Sequence, residues 1–338
     1  MRRWHWLVSA VVIALLAFSA RQVHWAAAAD AISDASLALL LLALALNGAS
    51  IGLRAMRWWV FLRAAGIGSL STALRGVIVA CGFNNLVVAN AGEAARTLLV
   101  TRTTDAPAAS VLATIALDRL FDPICFGLLL LVGTLTVPLP ASLSATLGTL
   151  AVLGAGVFLA LLLMASRQVH PAPGKAWRHQ LSVLRGCILR LSTARRFAIG
   201  LSLSIGVWLL QIAEYAVVAR SLGVPLPFGA SVAAMIVINA GLLVRATPGG
   251  LGYFEFAYAL AVSHFGVATD IGVAIALVIQ MIEIIPVTLA AVVITATFHT
   301  ERATRRKDLV FSVRRWLLER DSRSFVAPQG DKEQYLFQ

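Results

Sequence analysis

The chain has 338 residues, 59% of them hydrophobic and 13% charged, with a net charge of +12 and a mean hydropathy of +0.84. A soluble domain carries about 25% charged residues, so this balance excludes a soluble catalytic domain and belongs to a lipid bilayer. Nor does the positive charge point to nucleic acid: Lys and Arg stand in short blocks between apolar segments, where anionic lipid attracts them equally well.

In chain order, Arg2 and Arg3 precede an apolar run to Ala20 that resembles a signal peptide. The small-residue cleavage pattern is poor and more spans follow, so the segment reads as an uncleaved first helix. A second span is predicted over 35–53, and the Arg54, Arg57, Trp58, Trp59 and Arg63 cluster after it reads as an interfacial anchor of basic and aromatic side chains. Uninterrupted spans follow over 109–137, 145–165, 197–219 and 271–298, each long enough to cross a bilayer.

Two apolar segments are interrupted. The first, 76–100, contains Asn84, Asn85, Asn90, Gly92, Glu93 and Arg96; the second, 229–265, contains Asn239, Arg245 and the run Thr247-Pro-Gly-Gly-Leu-Gly252. Proline and glycine break helical hydrogen bonding, and backbone freed at membrane depth must be buried in protein or line a watery cavity. The loop 166–196 holds seven basic residues (Arg167, Lys175, Arg178, Arg185, Arg190, Arg195, Arg196) and no acidic one, and the tail 299–338 holds nine. Both should be cytoplasmic, as should the Arg54–Arg75 region. These assignments agree only if both interrupted segments are re-entrant.

The predicted fold is therefore an all-α polytopic membrane protein of about six full transmembrane helices plus two broken, re-entrant elements, up to eight spans, arranged as an inverted repeat. Residues 1–298 form the membrane domain and 299–338 a basic cytoplasmic tail, partly disordered after a short interfacial helix around Trp316, Leu317 and Leu318. Within 166–196, Trp177, Leu181, Leu184, Ile188 and Leu191 recur at helical spacing. They describe either an amphipathic helix in the interface or one packed on the bundle.

Ionisable residues inside a membrane are costly, and each is a functional candidate. Glu93 and Arg96 are spaced to share one helix face. Arg245 and Glu255 flank Pro248, Gly249, Gly250 and Gly252, a turn whose exposed amides and following helix start suit a phosphate-bearing headgroup. The alternative is that Arg96 and Arg245 merely neutralise Glu93 and Glu255. Asp118, Arg119 and Asp122 beside Pro123 are either site residues or a helix start at the interface. Glu214 and Glu283 are candidates for carrying a coupling proton, although interhelical hydrogen bonding explains a lone carboxyl equally well. Cys81, Cys125, Cys187 and the six histidines show no disulfide or ligand spacing, and no metal or cofactor is expected.

Arg57-Trp58 followed by Leu62, Asn85 with Gly92-Glu93 and Arg96, Asp118-Arg119 with Asp122, and Thr247-Pro-Gly-Gly-Leu-Gly252 with Glu255 together resemble the flippase-like membrane region of lysylphosphatidylglycerol synthases and their stand-alone relatives. The resemblance spans roughly 40–298 and implies lipid translocation or lipid binding. Val88-Ala89-Asn90 stands where that family often has a proline before its Gly-Glu pair. The synthases add a cytosolic aminoacyltransferase domain of several hundred residues, which the 40 residues after Phe298 do not provide.

The expectation is a non-enzymatic flippase or transporter for an anionic phospholipid or polyprenyl-phosphate-type lipid. It would sit in a bacterial inner membrane, both termini cytoplasmic, its basic segments against the anionic membrane surface. Two alternatives stand beside it: a non-transporting partner of a lipid-synthesis complex, and an intramembrane lipid-modifying enzyme with Glu93, Asp118 or Asp122 as general base.

Overall fold

The computed structural model describes residues 25–86, 91–136, 193–241 and 248–324, the last of these as backbone alone from 299 onward. The first predicted span, the 145–165 span, most of the 166–196 loop with its amphipathic stretch, Arg245 and the end of the tail lie outside these residues. Among the described residues every element is helical: α1 (Trp25–Ser33), α2 (Leu37–Ala64), α3 (Leu70–Leu86), α4 (Ala91–Thr104), α5 (Ala108–Arg119), α6 (Phe121–Thr136), α7 (Ala194–Ser221), α8 (Phe228–Gly241), a 3-10 turn at Pro248–Gly250, α9 (Tyr253–Ser263) and α10 (Thr269–Ser324). The chain divides into two units, Met1–Val292 and Val293–Gln338. In the second unit helical backbone runs on to Ser324.

Among the described residues three helices are long and apolar enough to cross a membrane: α2, α7 and the Thr269–Phe298 part of α10. The predicted 109–137 span is helical but divided, with a break at Leu120 between α5 and α6. Pro123 explains the break, because it has no N–H to give to the Arg119 carbonyl and its ring crowds that carbonyl.

Antiparallel packing of α2 against α7 forms the frame of the first unit. Its register is fixed at several points: the Ser36 amide donates to the Ser221 carbonyl at 2.8 Å, Asn47 meets Glu214, and Arg57 meets Ser204. Near the Leu53 side chain the facing residue is Gly206, where a Cβ would come within 2.9 Å of Leu53 Cδ1. The buried positions of α2 include Asn47, Ser50, Arg57, Trp58 and Phe61, a stripe at helical spacing. Leu37, Leu41 and Leu44 lie on exposed positions of the same helix, as lipid-facing side chains should.

Both interrupted segments reverse direction. In the first, the Gly92 amide donates to Asn84 Oδ1 at 3.0 Å, and Val100 of α4 packs with Ala73 and Val77 of α3. Gly92 is required at this crossing, since a Cβ would sit 2.0 Å from the Ala80 carbonyl oxygen. In the second, the Tyr253 hydroxyl donates to the Val237 carbonyl at 2.7 Å, while Tyr258 and Val262 of α9 share a core with Val232 and Met235 of α8. A segment crossing in one direction would separate these residues; a helical hairpin brings them together. One apolar core centres on Trp58, Leu62, Val77, Val100 and Val111. A larger one joins α6 to α10 through Leu130, Val218, Met235, Tyr258 and Ile279.

Candidate functional site

The two hairpins touch where α3 ends and the Pro248–Gly250 turn begins. Gly249, with φ +61°, lies in contact with α3 and α10: a Cβ there would be 3.4 Å from the Asn85 carbonyl oxygen, an ordinary contact, and 3.2 Å from Ile284 Cδ1. Positive φ recurs at Gly250 and Gly252, so the run from Pro248 needs glycine for its left-handed backbone. Asn85 Nδ2 also donates to Thr288 Oγ1 of α10 at 3.3 Å, pinning the first tip to the last span. The Glu255 carboxylate turns back to accept the Gly252 amide at 2.7 Å, capping α9.

Beside this meeting point lies a closed ring of six charges. Arg57 Nε donates to Asp118 Oδ1 at 2.7 Å, and the other oxygen of Asp118 is 3.4 Å from Arg96 Nη1. Arg96 Nε contacts Glu93 Oε2 at 2.6 Å, and Glu93 pairs through Oε1 with Arg119. Arg119 Nη1 donates to Asp122 Oδ2 at 3.0 Å, and Asp122 Oδ1 returns to Arg57 Nη1 at 3.1 Å. Signs alternate around the ring, so its net charge is zero.

The ring is asymmetric in depth. Arg57, Arg96 and Asp118 are buried, whereas the side chains of Arg119 and Asp122 are 43% and 39% exposed. Aromatic faces cover the buried side: the Arg96 guanidinium lies 4.6 Å from the Trp58 ring centre and that of Arg57 5.8 Å from Phe121, contacts that stabilise desolvated cations. Trp58 is itself held by donating from Nε1 to Thr114 Oγ1 at 3.1 Å, with Gly76 leaving room for its ring. Ser204 Oγ accepts from Arg57 Nη1 at 2.9 Å. Counting along α2, the ring is about 10 Å inside the Ala64 end.

Five of the predicted site residues, Glu93, Arg96, Asp118, Arg119 and Asp122, thus converge on one site. Asn85, Gly249, Gly250, Gly252 and Glu255 form the adjoining hairpin tips. Glu214 and Glu283 gather elsewhere, further along α7 and α10. The sequence reading assigned Arg57 and Trp58 to an interfacial anchor, but both face inward. Only Trp59 and Arg63 keep that geometry, with the guanidinium 5.3 Å from the indole. Ser204 was missed outright, and Arg57, which entered the family resemblance but not the candidate site, was also signalled by the helical spacing Asn47, Ser50, Arg54, Arg57, Phe61.

A helical membrane protein with two broken hairpins meeting beside a neutral charge ring is the class that these elements define. The chain belongs to the family described as Lysylphosphatidylglycerol synthase TM region, whose model matches residues 5–291. No curated protein matches the chain. Membership gives the protein a membrane lipid-related role.

Proposed function

We propose that the protein is a flippase or transporter that moves an anionic, phosphate-bearing lipid or lipid-linked intermediate across a bacterial inner membrane, with both termini cytoplasmic. The carrying observation is that two helical hairpins end against each other beside a charge ring with an open edge. Broken helices meeting within a bilayer are a recurrent basis for transporter sites. Arg119 at that edge supplies a cation for phosphate, while Glu93 and Asp122 hold it in place. Beside the Gly252 amide, which Glu255 already holds, the Gly249 and Gly250 amides are the candidates for further donors. Acyl chains stay in lipid, and the lipid leaves unaltered.

The test is transbilayer movement in proteoliposomes carrying a fluorescent anionic phospholipid or polyprenyl phosphate. The protein should accelerate crossing, Arg119→Ala should slow it about tenfold, equivalent to 1.4 kcal/mol, and the recovered lipid should be chemically unchanged. Absence of acceleration for every anionic lipid, or recovery of a modified lipid, would overturn the reading.

A further inference from the structure

A second polar group lies away from the ring. Glu214 is 1% exposed. Its Oε1 accepts from Asn47 Nδ2 at 3.3 Å, and its Oε2 is buried with no partner among the described residues. Glu283 of α10 likewise has a buried Oε1 with none. Their helices pack together here, with Tyr215 of α7 and Ile279 and Ile282 of α10 in one core, so the two carboxyls are within electrostatic reach of each other, and Arg54 of α2 is within reach of both. Tyr215 of α7 borders both carboxyls, and its ring lies 5.9 Å from that of Tyr258 of α9. The Tyr258 hydroxyl and the Gln280 amide of α10 are also buried and unpartnered. Asn47 and Glu214 lie about 15 Å from the Arg57–Ser204 contact along the α2–α7 pair.

Charge bookkeeping then decides what is missing. Within the ring three arginines already balance three carboxylates, so none is left over for the second group. Phenols and amides are uncharged at neutral pH. Among the described residues that leaves two carboxyls against one guanidinium, a deficit of one positive charge. Uncompensated charge in a protein interior costs several kcal/mol, and two neighbouring carboxylates resist ionising together. A multivalent metal would need more acidic, histidine or cysteine ligands than gather here, and no such group of three exists among the described residues.

We propose that Glu214 and Glu283 form one proton-binding site, holding a single proton between them while Arg54 balances the remaining carboxylate. The site goes beyond the lipid reading and does not depend on it. Its occupancy changes the field on α2 at Arg54, which is also within electrostatic reach of Asp122 in the ring, so proton loading and the ring share one cation.

The experiment is infrared difference spectroscopy of the carboxylic-acid C=O band, on the full chain in lipid nanodiscs at neutral pH. Charge balance makes an unusual demand: Glu214→Gln and Glu283→Gln should each abolish the band belonging to this site, because the surviving carboxylate is then neutralised by Arg54. Arg54→Gln should double it, since both carboxyls must then be protonated. Glu→Gln preserves side-chain size, and the opposite response of the Arg54 variant separates charge balance from damage. Persistence of the band in both glutamate variants would show two independent buried acids and overturn the proposal. Loss of the band when sodium chloride replaces choline chloride would identify a sodium ion as the occupant and overturn it too.

Discussion

Asp118→Asn is the most informative perturbation of the charge ring. The carboxylate is buried and contacts two arginines, at 2.7 Å to Arg57 and 3.4 Å to Arg96. At an effective dielectric of 20, each such contact has a gross attraction on the order of 4 kcal/mol, most of which offsets desolvation. Asparagine keeps the shape and one acceptor but removes the charge, leaving three arginines against two carboxylates. Stranding a buried charge in this way costs about 3–5 kcal/mol. By contrast, Arg119→Gln breaks contacts at the 43% exposed edge and should cost about 1 kcal/mol or less. Unfolding by sodium dodecyl sulfate in mixed micelles, followed by tryptophan fluorescence, measures both. Adding Arg96→Gln to Asp118→Asn restores neutrality, so the double variant should be more stable than the sum of the singles by at least about 1 kcal/mol. Equal costs for Asp118→Asn and Arg119→Gln, or strict additivity in the double variant, would refute a ring held by charge balance.

The Gly92 crossing leaves no room for a methyl group, since a Cβ there meets Ala80 backbone; Gly92→Ala should cost about 1–3 kcal/mol. Gly48→Ala, where no atom lies within 4 Å, should change stability by about 0.5 kcal/mol or less in the same unfolding assay. Single cysteines at Thr101 and Ala268, in a background without Cys81, Cys125 and Cys187, should label from the cytoplasmic and the external face respectively. Labelling of both from one face would contradict opposed re-entrant hairpins. Glu255→Ala removes the cap on the Gly252 amide and should cost about 1 kcal/mol. Glu255→Gln retains an acceptor and should leave lipid movement intact if capping is the role of Glu255; slowed movement at unchanged stability would instead place its charge in the transport path.

Much of the outline was legible because bilayers impose strong rules. Apolar length marked α2, α7 and the start of α10, and polar interruptions marked both hairpins, since no unbroken lipid-facing helix accommodates Asn84, Asn85 and Gly92. Spacing also paired Glu93 with Arg96. It could not say which helix supplies the remaining charges, because that depends on how α5 and α6 turn about Leu120. The reading therefore offered Glu93 and Arg96 each other, and Arg245 and Glu255 each other, whereas the structure also gives the first pair Asp118 and Arg119. Arg245 lies outside the described residues, and Glu255 is engaged with Gly252. Arg57 escaped for a different reason. Basic and aromatic residues at a helix end look the same in sequence whether they face headgroups or interior, and only neighbours such as Ser204 and Phe121 decide.

A loop of alternating charges behaves unlike an isolated ion pair. Each member of the Arg57–Asp118–Arg96–Glu93–Arg119–Asp122 cycle has two neighbours of opposite sign. Severing any one contact turns the cycle into an open string in which every charge still keeps a partner. Two helices can thus slide apart at the Arg119 edge, admit a visitor and reclose without a bare ion appearing in the low-dielectric interior. An isolated buried pair has no such intermediate, since parting it strands both ions at once. The cycle tolerates motion where a single salt bridge would act as a lock, and the break at Leu120, between Arg119 and Asp122, stands where such yielding is needed.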